Sequence, residues 1–141
     1  DVYKRQATAY LRAGNAYINM EMNDSAILYL QKALQISPDL PGASLNLGLA
    51  FHAKQRYDSA IVYIKKAVLL EPSKGKNYYS LACSYALNNQ PEQAILYLRQ
   101  AYERGFKNVE TLITDPDLSG LKNYKEFQAI LDKYVPDWRT R

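Results

Sequence analysis

The chain is poor in the residues that build covalent or metal-dependent chemistry. Its 141 residues include one cysteine, Cys83, one histidine, His52, and one tryptophan, Trp138. A single cysteine excludes an internal disulfide. Cys83 lies among apolar neighbours, which reads as a small buried or groove-lining thiol rather than a nucleophile. His52 has no cysteine or carboxylate pair at ligand spacing, and no HExxH-like, CxxC or glycine-rich phosphate motif occurs. These shortages point away from an enzyme: no catalytic residue, metal site or cofactor is assigned. Long apolar runs are missing as well. A stretch such as Ala60 to Ile64 falls far short of the roughly 18 residues that a membrane span needs.

Charge of one sign is not concentrated anywhere. The net charge of +4 and pI near 9.1 are mildly basic, but Lys and Arg are spread along the chain and mixed with Asp and Glu. A nucleic-acid binder would show a clustered stripe, so no nucleic-acid partner is expected. Lys74 and Lys76 flank Gly75 and read as a solvated turn. With 48% hydrophobic and 23% charged residues the chain falls in the globular range, and its length suits one domain.

What is present is a repeat. Ser44, Leu47-Gly48, Phe51, Ala60, Ile64, Ala67 and Pro72 recur after a shift of 34 residues either way. Upstream the same offsets carry Tyr10, Ala13-Gly14, Tyr17, Ala26, Leu30, Ala33 and Pro38. Downstream they carry Tyr78, Leu81-Ala82, Tyr85, Ala94, Leu98 and Ala101. The units are therefore 7–40, 41–74 and 75–108. Gly14, Gly48 and Ala82 are expected to face Ala26, Ala60 and Ala94, so that two helices approach closely, with Tyr17, Phe51 and Tyr85 filling the space around the contact.

Apolar spacing places a helix over Ala7 to Met20, a turn at Glu21 to Asn23, and a second helix running to about Ile36, capped by Asn23 or Asp24. Ser37-Pro38-Asp39 ends it. Asp39 is expected to cap the next helix, with Pro41 in its first turn. Later turns fall at Gln55-Arg56 and Asn88 to Gln90. In the third unit Phe106 takes the place of the proline, and Gly105 supplies the stop. Beyond it, a short helix over Asn108 to Thr114, a cap and one turn at Asp115-Pro116-Asp117-Leu118, and a last helix over about Tyr124 to Tyr134 are predicted. That last helix carries Phe127, Ile130, Leu131 and Tyr134 on one face. Residues 109–135 would cap the array, and 136–141, with Trp138, read as a frayed tail.

The period and its small and large positions resemble the tetratricopeptide repeat, a helix-turn-helix unit of 34 residues. Asp115-Pro116-Asp117-Leu118, Leu121-Lys122 and Phe127 resemble a closing segment common after bacterial arrays of that family. The implied fold is all-α: a right-handed α-solenoid of three such units with a short C-terminal helical capping segment. A related class of 35-residue helical repeats reads RNA, but the spacing and the Gly/Ala and Pro positions favour the protein-binding class.

The resemblance also implies a site. In the family, certain positions of each first helix line the concave groove. Here they give Thr8, Leu11, Arg12, Asn15 and Ile18, then Gly42, Leu45, Asn46, Leu49 and His52, then Lys76, Tyr79, Ser80, Cys83 and Ala86. Polar hooks among apolar pockets suit an extended or helical peptide. Relatives that bind chaperone tails hold a terminal carboxylate with Lys and Asn, then Asn, then Lys and Arg. Asn15, Asn46 and Lys76 match, but Leu11 and Ser80 stand where two of the three cations belong, so that activity is not carried over. Arg12 leaves room for a weaker anion site.

Residues 1–6, Asp-Val-Tyr-Lys-Arg-Gln, are what GAT-GTG-TAT-AAG-AGA-CAG encodes, a sequence that resembles a transposon-end adapter used in sequencing libraries. The hypothesis is that they are a translated scar, to be kept out of fold reasoning. Genomic sequence with a native start codon before the same six codons would refute it. The leading functional expectation is a non-catalytic protein-protein interaction scaffold that binds a peptide or partner helix. The alternative is the C-terminal regulatory or docking array of a larger enzyme or envelope-assembly protein whose working domain lies upstream.

Overall fold

The computed structural model describes all 141 residues and is all-helical. The helices are α1 (Val2–Asn19), α2 (Asn23–Ile36), α3 (Ala43–Ala53), α4 (Tyr57–Leu70), α5 (Gly75–Leu87), α6 (Pro91–Glu103), α7 (Thr111–Thr114) and α8 (Lys125–Tyr134). A 3₁₀ turn over Pro116–Leu121 links the last two, and a second follows at Trp138–Thr140. Length suggested one domain. The contacts instead form two compact units, Asp1–Pro72 and Ser73–Arg141, as expected of repeats whose packing is with near neighbours only.

The first unit holds two helical hairpins, α1–α2 and α3–α4. Each is closed where glycine lets the backbones approach. A Cβ on Gly14 would lie 2.6 Å from Leu30 Cγ, and one on Gly48 would run into Ile64 and come 3.1 Å from the Ala60 carbonyl. Ala26, Leu30, Ala60 and Ile64 are fully buried around these contacts. An aromatic pair packs beside each: Tyr17 on Tyr29 at 5.2 Å and Phe51 on Tyr63 at 5.7 Å between ring centroids. In the second unit the α5–α6 hairpin repeats the motif, with Tyr85 on Tyr97 at 5.5 Å and Ala82 in place of the glycine. Periodicity had marked Tyr17, Phe51 and Tyr85, but not their partners Tyr29, Tyr63 and Tyr97.

The turns at the hairpin tips have a common backbone cause. Glu21, Gln55 and Asn89 take φ of 58°, 62° and 59°, the left-handed region. The residue after each sends its N–H back to the helix: Met22 to the Tyr17 carbonyl at 2.8 Å, Arg56 to Phe51 at 2.9 Å, Gln90 to Tyr85 at 3.0 Å. This six-to-one closure satisfies carbonyls that a helix end leaves over.

Helix starts differ from the expected caps. Asn23 and Asp24 lie inside α2, whose N-cap position is Met22 with no side-chain bond. The tight turn delivers the chain straight into the helix, and Asp24 instead pairs with Lys54 at 2.6 Å. Asp39 does not cap α3, and Pro41 precedes that helix. α3 begins at Ala43 because Gly42, at φ 84°, makes the bend, while Asp39 accepts from the Ser37 hydroxyl at 3.4 Å. α1 starts at Val2, with the Asp1 carboxylate accepting from the Lys4 N–H at 2.9 Å.

In the closing segment the short helix is Thr111–Thr114 alone, starting three residues later than the expected Asn108. Asp115 caps the 3₁₀ turn through the Asp117 N–H at 3.0 Å. Leu112, Leu118, Leu121, Phe127, Ile130 and Leu131 are buried in the second unit. The last residues are not frayed. Trp138 Nε1 donates to Asp132 at 2.8 Å, Arg139 also pairs with Asp132, and Arg141 reaches Glu110 at 2.9 Å and Asp137 at 3.1 Å. The donors Trp138 and then Arg139 hold the Asp132 carboxyl below the usual carboxylate range. These pairs are solvent-exposed and add little stability each.

Candidate functional site

In the first unit the positions expected to line a groove lie on α1 and α3. They sort into core and surface in a way the repeat register alone did not specify. Leu45 is 7% exposed and belongs to the core, whereas Leu49 on the same helix is exposed. Thr8 spends its hydroxyl on the Lys4 carbonyl at 2.9 Å. His52 packs edge-on against Tyr57, with ring centroids 5.2 Å apart. Leu11 is half-buried and Arg12 exposed, the latter bordering a shallow cleft with Lys4 and Thr8.

The polar centre of this face is a pair of amides. Asn46 Nδ2 donates to Asn15 Oδ1 at 2.6 Å, a part-buried bond that joins α3 to α1. It leaves each residue one amide group, the Asn15 Nδ2 donor and the Asn46 Oδ1 acceptor.

In the second unit the corresponding positions on α5 are already engaged. Tyr79 donates its hydroxyl to Asp115 Oδ2 at 2.6 Å and stacks on Phe106 at 4.5 Å. The Cys83 thiol points to the same carboxylate oxygen at 3.8 Å and is 6% exposed. Lys76 remains exposed and Ser80 half-buried. Burial, then the Asp115 bond, pushes the Tyr79 hydroxyl pKa up. Burial, then the Asp115 and Asp117 charges, raises that of Cys83. The thiol therefore stays protonated and is a poor nucleophile. Asp115 could not be found as a partner of Tyr79 by spacing, because 36 residues and an irregular turn separate them.

Cys83, Asp115 and Asp117 bring ligand atoms within 4.8 Å of one another. The set mixes one soft sulfur with hard carboxylates, and both Asp115 oxygens already accept hydrogen bonds. Its chemistry is that of a closing contact.

Three helical hairpins of one period, closed by a helical segment, define an all-helical repeat protein. Family comparison identifies which: a TPR repeat model matches residues 14–55, and a tetratricopeptide repeat model matches 41–74 and 75–104. The chain belongs to the tetratricopeptide repeat family. Among solved structures it is similar to MamA, at 26% identity and TM-score 0.68 over 72% of this chain and 59% of that one. The chain thus spans about three-fifths of that relative. It is also similar to the first tetratricopeptide domain of Spaghetti (RPAP3) bound to the HSP90 peptide SRMEEVD, at 19% identity and TM-score 0.71, covering 96% and 95% of the two chains. The N-terminal domain of stress-induced protein-1 from C. elegans matches at 16% identity and TM-score 0.72, covering 91% and 98%. No curated protein sequence matches. No helix is long and apolar enough to cross a membrane.

Proposed function

We propose that the chain is a non-catalytic protein-interaction scaffold, and that the α1–α3 face of the first unit receives a peptide or partner helix. The observation that carries this reading is the Asn15–Asn46 pair. Two amides bonded to each other keep one donor and one acceptor, the complement of a peptide group, and an extended ligand needs such partners for its backbone. Leu11, four residues before Asn15, and Leu49, three after Asn46, share their helix faces and offer apolar contact, and exposed Arg12 offers a forked donor for an acidic side chain. The solved domain of Spaghetti (RPAP3), seen with a peptide, supports a peptide as the class of ligand. Without the cations that positions 11 and 80 lack, the ligand is not selected by a terminal carboxylate.

The test is a peptide selected against the folded chain from a random library. Replacing Asn15 and Asn46 by Ala is expected to weaken it by about 0.5–1.5 kcal/mol per lost neutral hydrogen bond, and Arg12→Ala to remove any preference for acidic sequences. Selected peptides that bind the double variant as tightly as the parent would place the binding surface elsewhere.

A further inference from the structure

The inner surface of α5 carries a resident occupant. Asp115 brings its carboxylate to the Tyr79 hydroxyl at 2.6 Å and lies over Cys83 at 3.8 Å. Pro116 starts the 3₁₀ turn, and Leu118 is 1% exposed in the apolar seat that follows. A second tie runs to α6, where the Tyr102 hydroxyl donates to the Asn108 carbonyl at 3.0 Å beside Thr111.

The segment that supplies these contacts has little stability of its own. α7 is four residues long and the 3₁₀ turn six, both well under the length at which a helix holds by itself. Exposed stretches flank it, Lys107 and Asn108 before, Lys122 to Tyr124 after. Such pieces open at free energies below that of the whole fold. The α5–α6 hairpin is by contrast made of two helices of 13 residues each, packed on one another.

We infer that the α5 face around Tyr79 and Cys83 is a docking site for an acidic turn, a carboxylate followed by proline and, two residues on, leucine. It is held shut in cis by the chain's own Asp115-Pro116-Asp117-Leu118. A partner presenting the same chemistry competes with the resident segment when that segment opens. The inference concerns the second unit alone and stands or falls separately from the amide pair of the first.

Cys83 is the sole cysteine and reports the opening. Closed, its thiol is buried and its pKa raised by burial and by the carboxylates of Asp115 and Asp117. Opening removes all three influences, so the thiol becomes accessible and more reactive.

The experiment follows thiol labelling of the full chain under native conditions, with small additions of denaturant. Labelling is expected to show little denaturant dependence, the mark of a local opening. Tyr79→Phe should speed it about ten-fold, the factor implied by losing one hydrogen bond to a charged acceptor. Asp115→Asn, which keeps an oxygen able to accept from Tyr79, should speed it less. In Asp115→Ala, a free peptide of residues 111–121 should restore slow labelling, and the same peptide with Ala for its Asp115 should not. Labelling that rises as steeply with denaturant as global unfolding, or equal rates in parent and Tyr79→Phe, would overturn the inference. So would a peptide that leaves Asp115→Ala unprotected.

Discussion

Asn46 donates its side-chain amide to Asn15 at 2.6 Å, tying the first helix of one repeat to the first helix of the next across 31 residues of sequence. From sequence alone these were two separate polar hooks in a groove. As a bonded, part-buried pair they are coupled in stability too. Asn15→Ala or Asn46→Ala alone should cost roughly 0.5–1.5 kcal/mol, and the double variant less than the sum. A double-mutant cycle read by denaturant unfolding checks this; strict additivity would mean that the bond contributes nothing in solution.

Two glycines make opposite kinds of close contact. A side chain on Gly48 meets the Ile64 side chain first and the Ala60 carbonyl only at 3.1 Å, whereas one on Gly75 runs straight into backbone, the Ala101 carbonyl at 2.7 Å and the Phe106 nitrogen at 2.8 Å. A side chain can shift and a helix end held by hydrogen bonds cannot. Gly48→Leu is expected to lower stability by roughly 1–3 kcal/mol or more through overpacking. Gly75→Ala, a far smaller change, should cost more than Gly48→Ala. Melting of the four proteins side by side decides the order.

At the hairpin tips the strain sits in residues other than glycine. Gln55 at φ 62° is exposed and has a Cβ to accommodate in the left-handed region. Relief of about 1–2 kcal/mol exceeds the roughly 0.5–1 kcal/mol that glycine adds in chain entropy. Gln55→Gly should thus stabilise by about 0.5–1 kcal/mol. Asn89→Gly should gain less, since asparagine tolerates this conformation. A drop in melting midpoint for Gln55→Gly would contradict the turn geometry.

Burial pushes the Tyr102 hydroxyl up to about 12 from an ordinary value of 10.0. The folded protein therefore holds this proton more tightly than the unfolded chain does. Stability from this group is fully present below about pH 10 and is lost as pH rises toward 12. Tyr102→Phe cannot ionise, so its stability should fall less over that window, although it also loses the bond to Asn108. Unfolding midpoints of parent and variant across the alkaline range, with tyrosinate absorbance, give the comparison. Parallel pH profiles would show that Tyr102 does not contribute.

The sequence by itself determined the hairpins. A residue pattern repeating every 34 positions, small where helices touch and large around the contact, leaves one way to bury its apolar faces. Turns at Glu21, Gln55 and Asn89 and the Asp115-Pro116 cap were legible for the same reason, because they depend on neighbours in the chain. What only the tertiary structure decided was which polar groups meet. Asn46 finds Asn15, Tyr79 finds Asp115, and Arg141 finds Glu110 across 31, 36 and 31 residues. Leu45 is drawn into the core while Leu49 stays at the surface. A hydrogen bond depends on side-chain placement to within a few tenths of an ångström, and that is fixed by how helices pack and where an irregular turn lands. Periodicity sets the face on which a residue lies; packing sets what it touches there.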